Sequence, residues 1–140
     1  MSETNEFRIQ EVEGIAPLLQ VYDMPASLQF YRDKLGFTVT GSSGDGDDVD
    51  WVMLGMNNSI LMLNTTHEKH NRPSEPDAIR NKWHHDTILY FNYPDIDGLY
   101  HHLLSKGIQP GKPFITGYSW KAIYFTDPDN YQLCFHWPVV

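Results

Sequence analysis

The pattern of apolar residues in the first part of the chain predicts a strand, a helix and three further strands. Strand-like residues extend over 15–22, and Asp23 then precedes a helical pattern as an N-cap would. The apolar residues of this predicted helix lie at i, i+4, i+7 and i+11: Met24, Leu28, Tyr31 and Leu35. Gly36 ends the helix, and 41–48 is a loop rich in glycine and aspartate. The three further strands are predicted over 37–40, 51–54 and 59–64.

The same order of elements occurs again in the second part of the chain. A strand is predicted over 84–93, and Asp95 then caps a helix that ends at Gly107. The apolar residues of that helix are Ile96, Tyr100, Leu103 and Leu104. Extended segments follow: a short one around Phe114, then 121–126 and 131–137. Asp95 follows Asp23 by 72 positions, so the chain is predicted to be a duplicated β-α-β-β-β unit.

The repeat predicts an α+β fold with one domain. Residues 1–13 form a polar N-terminal segment, and 14–138 form the domain. It divides into module 1 (14–65), a connection (66–82) and module 2 (83–138). The connection has no apolar period, so we expect a long exposed loop there, and the pattern does not decide whether it covers a cavity.

Side chains alternate between the two faces of a strand, so the strands also predict which residues face away from the helices. Leu19 and Val21 are expected under the first helix, and Leu89 and Phe91 under the second. The opposite, concave face is expected to carry these residues of the first strand of each module: Ala16, Leu18, Gln20, Asp86, Ile88, Tyr90 and Asn92. The last strand of each module adds Ile60, Met62, Asn64, Gln132, Cys134 and His136.

Charge and composition exclude several classes of partner. The formal net charge of −8 disfavours nucleic acids and anionic membrane surfaces, and no apolar run approaches the length of a membrane-spanning helix. A single cysteine, Cys134, excludes an intrachain disulfide framework and suits the cytoplasm. Seven histidines and 14% aromatic residues leave metal chemistry and small-molecule binding to be tested.

Three stretches resemble the vicinal oxygen chelate superfamily, which includes glyoxalases, extradiol dioxygenases and bleomycin resistance proteins. They are V-Y-D-M-P-A-S-L-Q-F-Y-R-D-K-L-G-F at 21–37, P-D-I-D-G-L-Y-H-H-L-L-S-K-G-I at 94–108 and Y-F-T-D-P-D-N-Y-Q-L-C-F at 124–135. The resemblance implies two tandem βαβββ modules whose sheets curl around a shared cavity, commonly in a homodimer.

The resemblance also implies where a metal would bind. Metal-using members take ligands from the first and last strands of each module, and the matching positions here are Ala16, Met62, Ile88 and Cys134. Alanine and isoleucine cannot bind a metal, and one thioether with one buried thiol does not satisfy a divalent cation. We therefore expect no metal cofactor. A shift of the alignment by two residues keeps the same face and leaves a divalent metal as an alternative.

The candidates for acid–base chemistry are few. His136 lies deep in the last strand, while His84 and Asp86 share a face at the start of the strand predicted over 84–93. A carboxylate beside an imidazole could orient a general base, so these three are weak catalytic candidates and an alternative metal-ligand set. The competing interpretations are a structural histidine and a solvated aspartate.

The aromatic residues suggest a pocket for a flat or apolar ligand. The candidate ligand-binding residues are Trp51, Met62, Tyr90, Tyr118, Trp120, Cys134 and His136. The first hypothesis is therefore a metal-free protein that binds a small, partly aromatic organic molecule and acts by sequestration. A metal-dependent lyase, isomerase or dioxygenase is the second. A dimeric scaffold without a ligand is the third.

Overall fold

A computed structural model describes residues 6–140, except for the side chain of Lys69. The first module contains β1 (Leu18–Val21), α1 (Met24–Leu28), β2 (Thr38–Ser42), β3 (Trp51–Met56) and β4 (Ser59–Thr65). A 3-10 turn (Lys69–Asn71) and α2 (Ala78–His84) lie between the modules. The second module contains β5 (Ile88–Asn92), α3 (Ile96–Ser105), β6 (Phe114–Ile115), β7 (Trp120–Thr126) and β8 (Gln132–Pro138).

Each module forms one mixed four-stranded sheet. The strand orders are β1-β4-β3-β2 and β5-β8-β7-β6, with β1 parallel to β4 and β5 parallel to β8. Leu18 pairs with Met62 in the first sheet, and Tyr90 pairs with Cys134 in the second. Both residues of the second pair follow their counterparts by 72 positions. The strand register therefore confirms the α+β fold with two tandem βαβββ modules.

The two capped helices begin where the sequence predicts. Asp23 Oδ1 accepts a hydrogen bond from Ala26 N at 3.3 Å, and Asp95 Oδ1 accepts one from Gly98 N at 2.9 Å. A Cβ on Gly98 would collide with the Asp95 carboxylate, so this cap requires glycine there. After Leu28 the first helix widens to i→i+5 hydrogen bonding over Gln29–Lys34, a departure from the regular helix that was predicted.

One hydrophobic core lies between the helices and the sheets. Leu19 and Val21 are buried on the helix side of β1, as the alternation predicted. Most of the apolar residues predicted to line the two helices also lie in the core or pack against it. The prediction is wrong for Leu104, because 43% of its surface is exposed; Leu99 packs against the core instead.

The region between the modules differs from the prediction. Residues 78–84 form α2, whose N-cap Asp77 accepts hydrogen bonds from Ile79 N and Arg80 N, both at 3.0 Å. The strand predicted over 84–93 therefore begins only at Ile88, after His84 has ended the helix. No residue of α2 is buried, which is why no apolar period marked it in the sequence. None of the helices described in residues 6–140 could cross a membrane.

A buried polar contact joins the modules. The turn that follows β7 places Asp127 and Asp129 against the start of the first module. Tyr31 Oη donates to Asp127 Oδ2 at 2.7 Å, and Tyr22 N donates to Asp129 Oδ1 at 2.8 Å. Asp127 is 5% exposed, and burial raises the pKa of its carboxyl to about 7 although the Tyr31 hydrogen bond opposes the rise.

Tyr31→Phe is expected to lower the free energy of unfolding by about 2 kcal/mol, because it leaves a buried carboxyl oxygen without its donor. The loss should be larger at pH 8 than at pH 5. Removing the donor raises the pKa of folded Asp127 further, and a raised carboxyl pKa means that stability is lost as pH rises. Urea unfolding at both pH values measures this.

The matched control is Tyr118→Phe, at an exposed tyrosine. It should leave the unfolding free energy within about 0.5 kcal/mol of wild type. An equally small effect of Tyr31→Phe, or a loss that is greater at pH 5, would contradict the role given to this contact.

Candidate functional site

Each sheet has an open face, which we define as the face directed away from the helices and the core. Strand pairing and alternation assign eight residues of β1, β3 and β4 to the first open face: Leu18, Gln20, Trp51, Met53, Gly55, Ile60, Met62 and Asn64. They assign eleven residues of β5 to β8 to the second: Ile88, Tyr90, Asn92, Phe114, Trp120, Ala122, Tyr124, Thr126, Gln132, Cys134 and His136. They include every residue that the sequence predicted for the concave faces except Ala16 and Asp86, which precede β1 and β5.

The second open face carries an aromatic cluster, defined as Tyr90, Phe114, Trp120, Tyr124 and His136. The His136 ring lies 4.4 Å from that of Trp120 and 5.0 Å from that of Tyr90, measured between centroids. Tyr90 meets Tyr124 edge-on at 6.4 Å, and Phe114 stacks on Tyr124 at 6.0 Å. The cluster is therefore one continuous aromatic surface.

Strand register explains why these rings meet. Tyr124 and Tyr90 lie on either side of Cys134, because β7 and β5 both pair with β8. Ala122 lies opposite both His136 and Phe114, and its small side chain leaves room for the rings beside it. Ala122 and Cys134 are fully buried beneath the cluster, whereas Tyr90 and Phe114 remain 49% and 47% exposed.

The cluster and the Cys134 side chain beneath it present hydroxyl, thiol and imidazole groups. The hydroxyl groups of Tyr90 and Tyr124 are hydrogen-bonded to each other at 3.1 Å, which raises the pKa of Tyr124. Burial raises the pKa of the Cys134 thiol and lowers the pKa of His136. His136 Nδ1 is buried and has no hydrogen-bond partner among the described residues. The face therefore combines aromatic surface with neutral hydrogen-bonding groups.

Comparison with known proteins identifies the family. The model of the Glyoxalase/Bleomycin resistance protein/Dioxygenase superfamily matches residues 8–135. The chain belongs to this superfamily. The comparison with curated proteins finds no match for this chain.

Solved structures are similar over nearly the whole chain. A glyoxalase family protein from Enterococcus faecalis is 25% identical, with a TM-score of 0.63 and coverage of 91% of this chain and 97% of the other. A glyoxalase/bleomycin resistance protein/dioxygenase from Nocardioides is 20% identical, with a TM-score of 0.68 and coverage of 94% and 87%. A virulence protein from Salmonella typhimurium is 19% identical, with a TM-score of 0.65 and coverage of 95% and 100%. The latter two support the fold alone.

The structure brings together four of the seven candidate ligand-binding residues. Tyr90, Trp120, Cys134 and His136 lie on the second open face. The other three are elsewhere: Trp51, Met62 and Tyr118. Trp51 and Met62 lie on the first open face, and Tyr118 is exposed in the turn before β7.

Sequence reasoning missed two rings of the cluster. Tyr124 lies in the predicted strand 121–126, so alternation from Ala122 could have placed it on the open face. Phe114 belongs to a two-residue strand, which is too short for its faces to be read from a pattern. The two open faces meet at a cavity of about 430 Å³, whose lining includes Ile60, Ile88 and Tyr90.

The three weak catalytic candidates do not come together. His84 ends α2, and its ring stacks on Tyr131 at 4.1 Å with its Nδ1 2.9 Å from Asp129 O. Tyr131 points to the core side of the second sheet, whereas His136 lies on the open face. Asp86 is exposed in the turn after α2. The expectation that His84 and Asp86 share the concave face is wrong, because both precede the strand.

The residues at the family's metal-ligand positions do not fit a divalent cation. Ala16 precedes β1, and the other three lie on the open faces: Met62, Ile88 and Cys134. Only Met62 and Cys134 have donor atoms, and burial holds the Cys134 sulfur in the thiol form, whereas metals bind the thiolate. Across the described residues, no three His, Cys, Asp or Glu side chains lie close enough to hold a metal.

Proposed function

We propose that the protein binds a small, partly aromatic organic molecule on the second open face and acts by sequestering it. The observation that carries the proposal is the aromatic cluster, which is continuous and partly exposed. A planar ligand that covers Tyr90 and Phe114 removes apolar surface from water. Each aromatic pair formed adds about 0.5–1.5 kcal/mol beyond the area effect.

The proposed binding requires no catalytic metal. The family's ligand positions carry apolar side chains or weak sulfur donors, and the alternative set of His84, Asp86 and His136 is divided between different parts of the fold. The superfamily's metal-dependent lyase, isomerase and dioxygenase activities are therefore less well supported than binding alone. The free, buried Cys134 also supports a reducing compartment such as the cytoplasm.

A homodimer is the proposed assembly. The open faces leave large apolar residues in water: Leu18, Ile60, Ile88, Tyr90 and Phe114. Exposed apolar patches of this kind mark interaction surfaces. A second copy that covers the cavity at Ile60 and Ile88 would enclose a ligand that one chain alone holds on an open surface.

Titration with nitroaromatic quenchers tests the binding site. We expect 4-nitrobenzamide to quench tryptophan fluorescence saturably, and Trp120→Phe to remove more than half of that quenching because Trp120 belongs to the cluster. The control Trp83→Phe, on exposed α2, should quench as wild type does. No saturable response from a broad panel of aromatic probes would contradict the proposal and favour a scaffold without a ligand.

Metal content tests the second part of the proposal. Protein purified without chelators should contain far less than one equivalent of zinc, nickel, iron or manganese, because its donor set is unsuitable. Inductively coupled plasma mass spectrometry measures this. Near-stoichiometric metal that is lost in His136→Ala or in Asp86→Ala would overturn the metal-free proposal.

Sedimentation equilibrium tests the dimer. We expect a mass twice that of the 16.2 kDa chain. Ile60→Asp should shift the protein to monomer by placing a charge in the interface, while Ile79→Asp on α2 should remain dimeric although Ile79 is 72% exposed. A monomeric wild-type protein, or equal dissociation of both variants, would argue against an interface at the open faces.

A further inference from the structure

The open faces contain no charged residue. Their nineteen positions include no Asp, Glu, Lys or Arg, although 20% of the chain consists of these residues. A random sample of that size would carry about four. Lys121, a charged residue of β7, points to the opposite face. It lies between Trp120 and Ala122, but its Nζ is on the other side of the sheet, 2.6 Å from Asp97 Oδ2.

We infer that the ligand is an uncharged planar aromatic molecule that carries a carbonyl or hydroxyl oxygen. This inference rests on the proposed function and names the chemical class that the site selects. The absence of charged side chains accounts for the selection of neutral molecules, and the paired hydroxyl groups of Tyr90 and Tyr124 account for the oxygen.

The two hydroxyl groups provide one hydrogen-bond donor for a ligand. They lie 3.1 Å apart, and when Tyr124 donates to Tyr90, the Tyr90 hydroxyl retains an O–H that no described residue accepts. The Tyr124 phenol remains protonated at neutral pH because its hydrogen bond with Tyr90 and its burial raise its pKa. An oxygen acceptor on the ligand can therefore bind there.

An anionic ligand has no counter-charge on these faces. A carboxylate that leaves water for an apolar surface must be paired or lose its charge. His136 is the one titratable imidazole on either open face, and burial lowers its pKa, so it is neutral at pH 7. The chain's net charge of −8 adds a further repulsion toward anions.

A cationic ligand would need exposed ring faces. Cations bind over the face of an aromatic ring, within about 6 Å of its centroid. In the cluster, one face of Tyr124 is stacked against Phe114, and the Trp120 and His136 rings lie against each other at 36°. The rings thus cover part of each other's faces, which reduces the ring area that a cation could contact from several sides.

Three near-isosteric probes that differ in charge test the inference by isothermal titration calorimetry: 2-naphthamide, 2-naphthoate and 2-naphthamidine. We expect the neutral amide to bind wild-type protein at least tenfold more tightly than either ion at pH 7.5. Equal or tighter binding of either ion would overturn the inference while leaving the proposed aromatic site intact. Failure of all three to bind, together with no fluorescence response, would overturn the proposed function itself.

A charge placed on the face provides a second measurement. Asn92→Lys adds a cation beside His136, with which Asn92 is paired across β5 and β8. It should improve naphthoate binding at least tenfold relative to the amide. Asn71→Lys, the same change at an exposed position in the 3-10 turn, should leave the ratio as in wild type. An unchanged ratio in Asn92→Lys would contradict recognition on this face.

Discussion

The buried hydrogen bond between Tyr31 and Asp127 joins residues 96 positions apart and, with the other contacts of the same turn, fixes the relative position of the two modules. Asp127 also accepts from the backbone N–H groups of Asp129 and Tyr131, both at 2.9 Å, so the turn is rigid where it meets the first module. Tyr131 Oη in turn accepts from Gln20 N at 3.2 Å. This set of contacts holds β1 beside the second sheet and so determines where the two open faces meet.

The repeat does not reproduce this contact on the other side of the molecule. The residues that follow Tyr22, Ser27 and Tyr31 by 72 positions are all apolar: Pro94, Leu99 and Leu103. Met56, the last residue of β3, lies across from them in the first module, and a cavity of about 340 Å³ remains between Met56, Tyr93 and Leu99. The aromatic cluster is also confined to one module, since Leu18, Met53 and Asn64 occupy the positions of Tyr90, Tyr124 and His136. The two halves thus share a fold and differ in chemistry.

Much of the fold could be predicted because alternation and helix capping are local properties. Asp23, Asp95 and the parity of Tyr90 and His136 were read correctly for that reason. Local patterns do not report α2, whose side chains are not buried, and they do not reveal that the Asp127 turn reaches Tyr31. The site was predictable in part: alternation indicated a shared face for four residues, but their contacts with Phe114 and Tyr124 depend on strand pairing across the sheet.

Nδ1 of His136 has no hydrogen-bond partner within residues 6–140 as described, and this has a thermodynamic consequence for the protein as a whole. A buried polar atom without a partner costs about 1–3 kcal/mol of folding free energy, whereas an apolar side chain of similar shape would avoid that cost. Folded domains are stable by only about 5–15 kcal/mol, so one such hydrogen bond is a noticeable part of the margin. A ligand that hydrogen-bonds to this nitrogen would therefore stabilise the whole folded domain as it binds to the aromatic cluster.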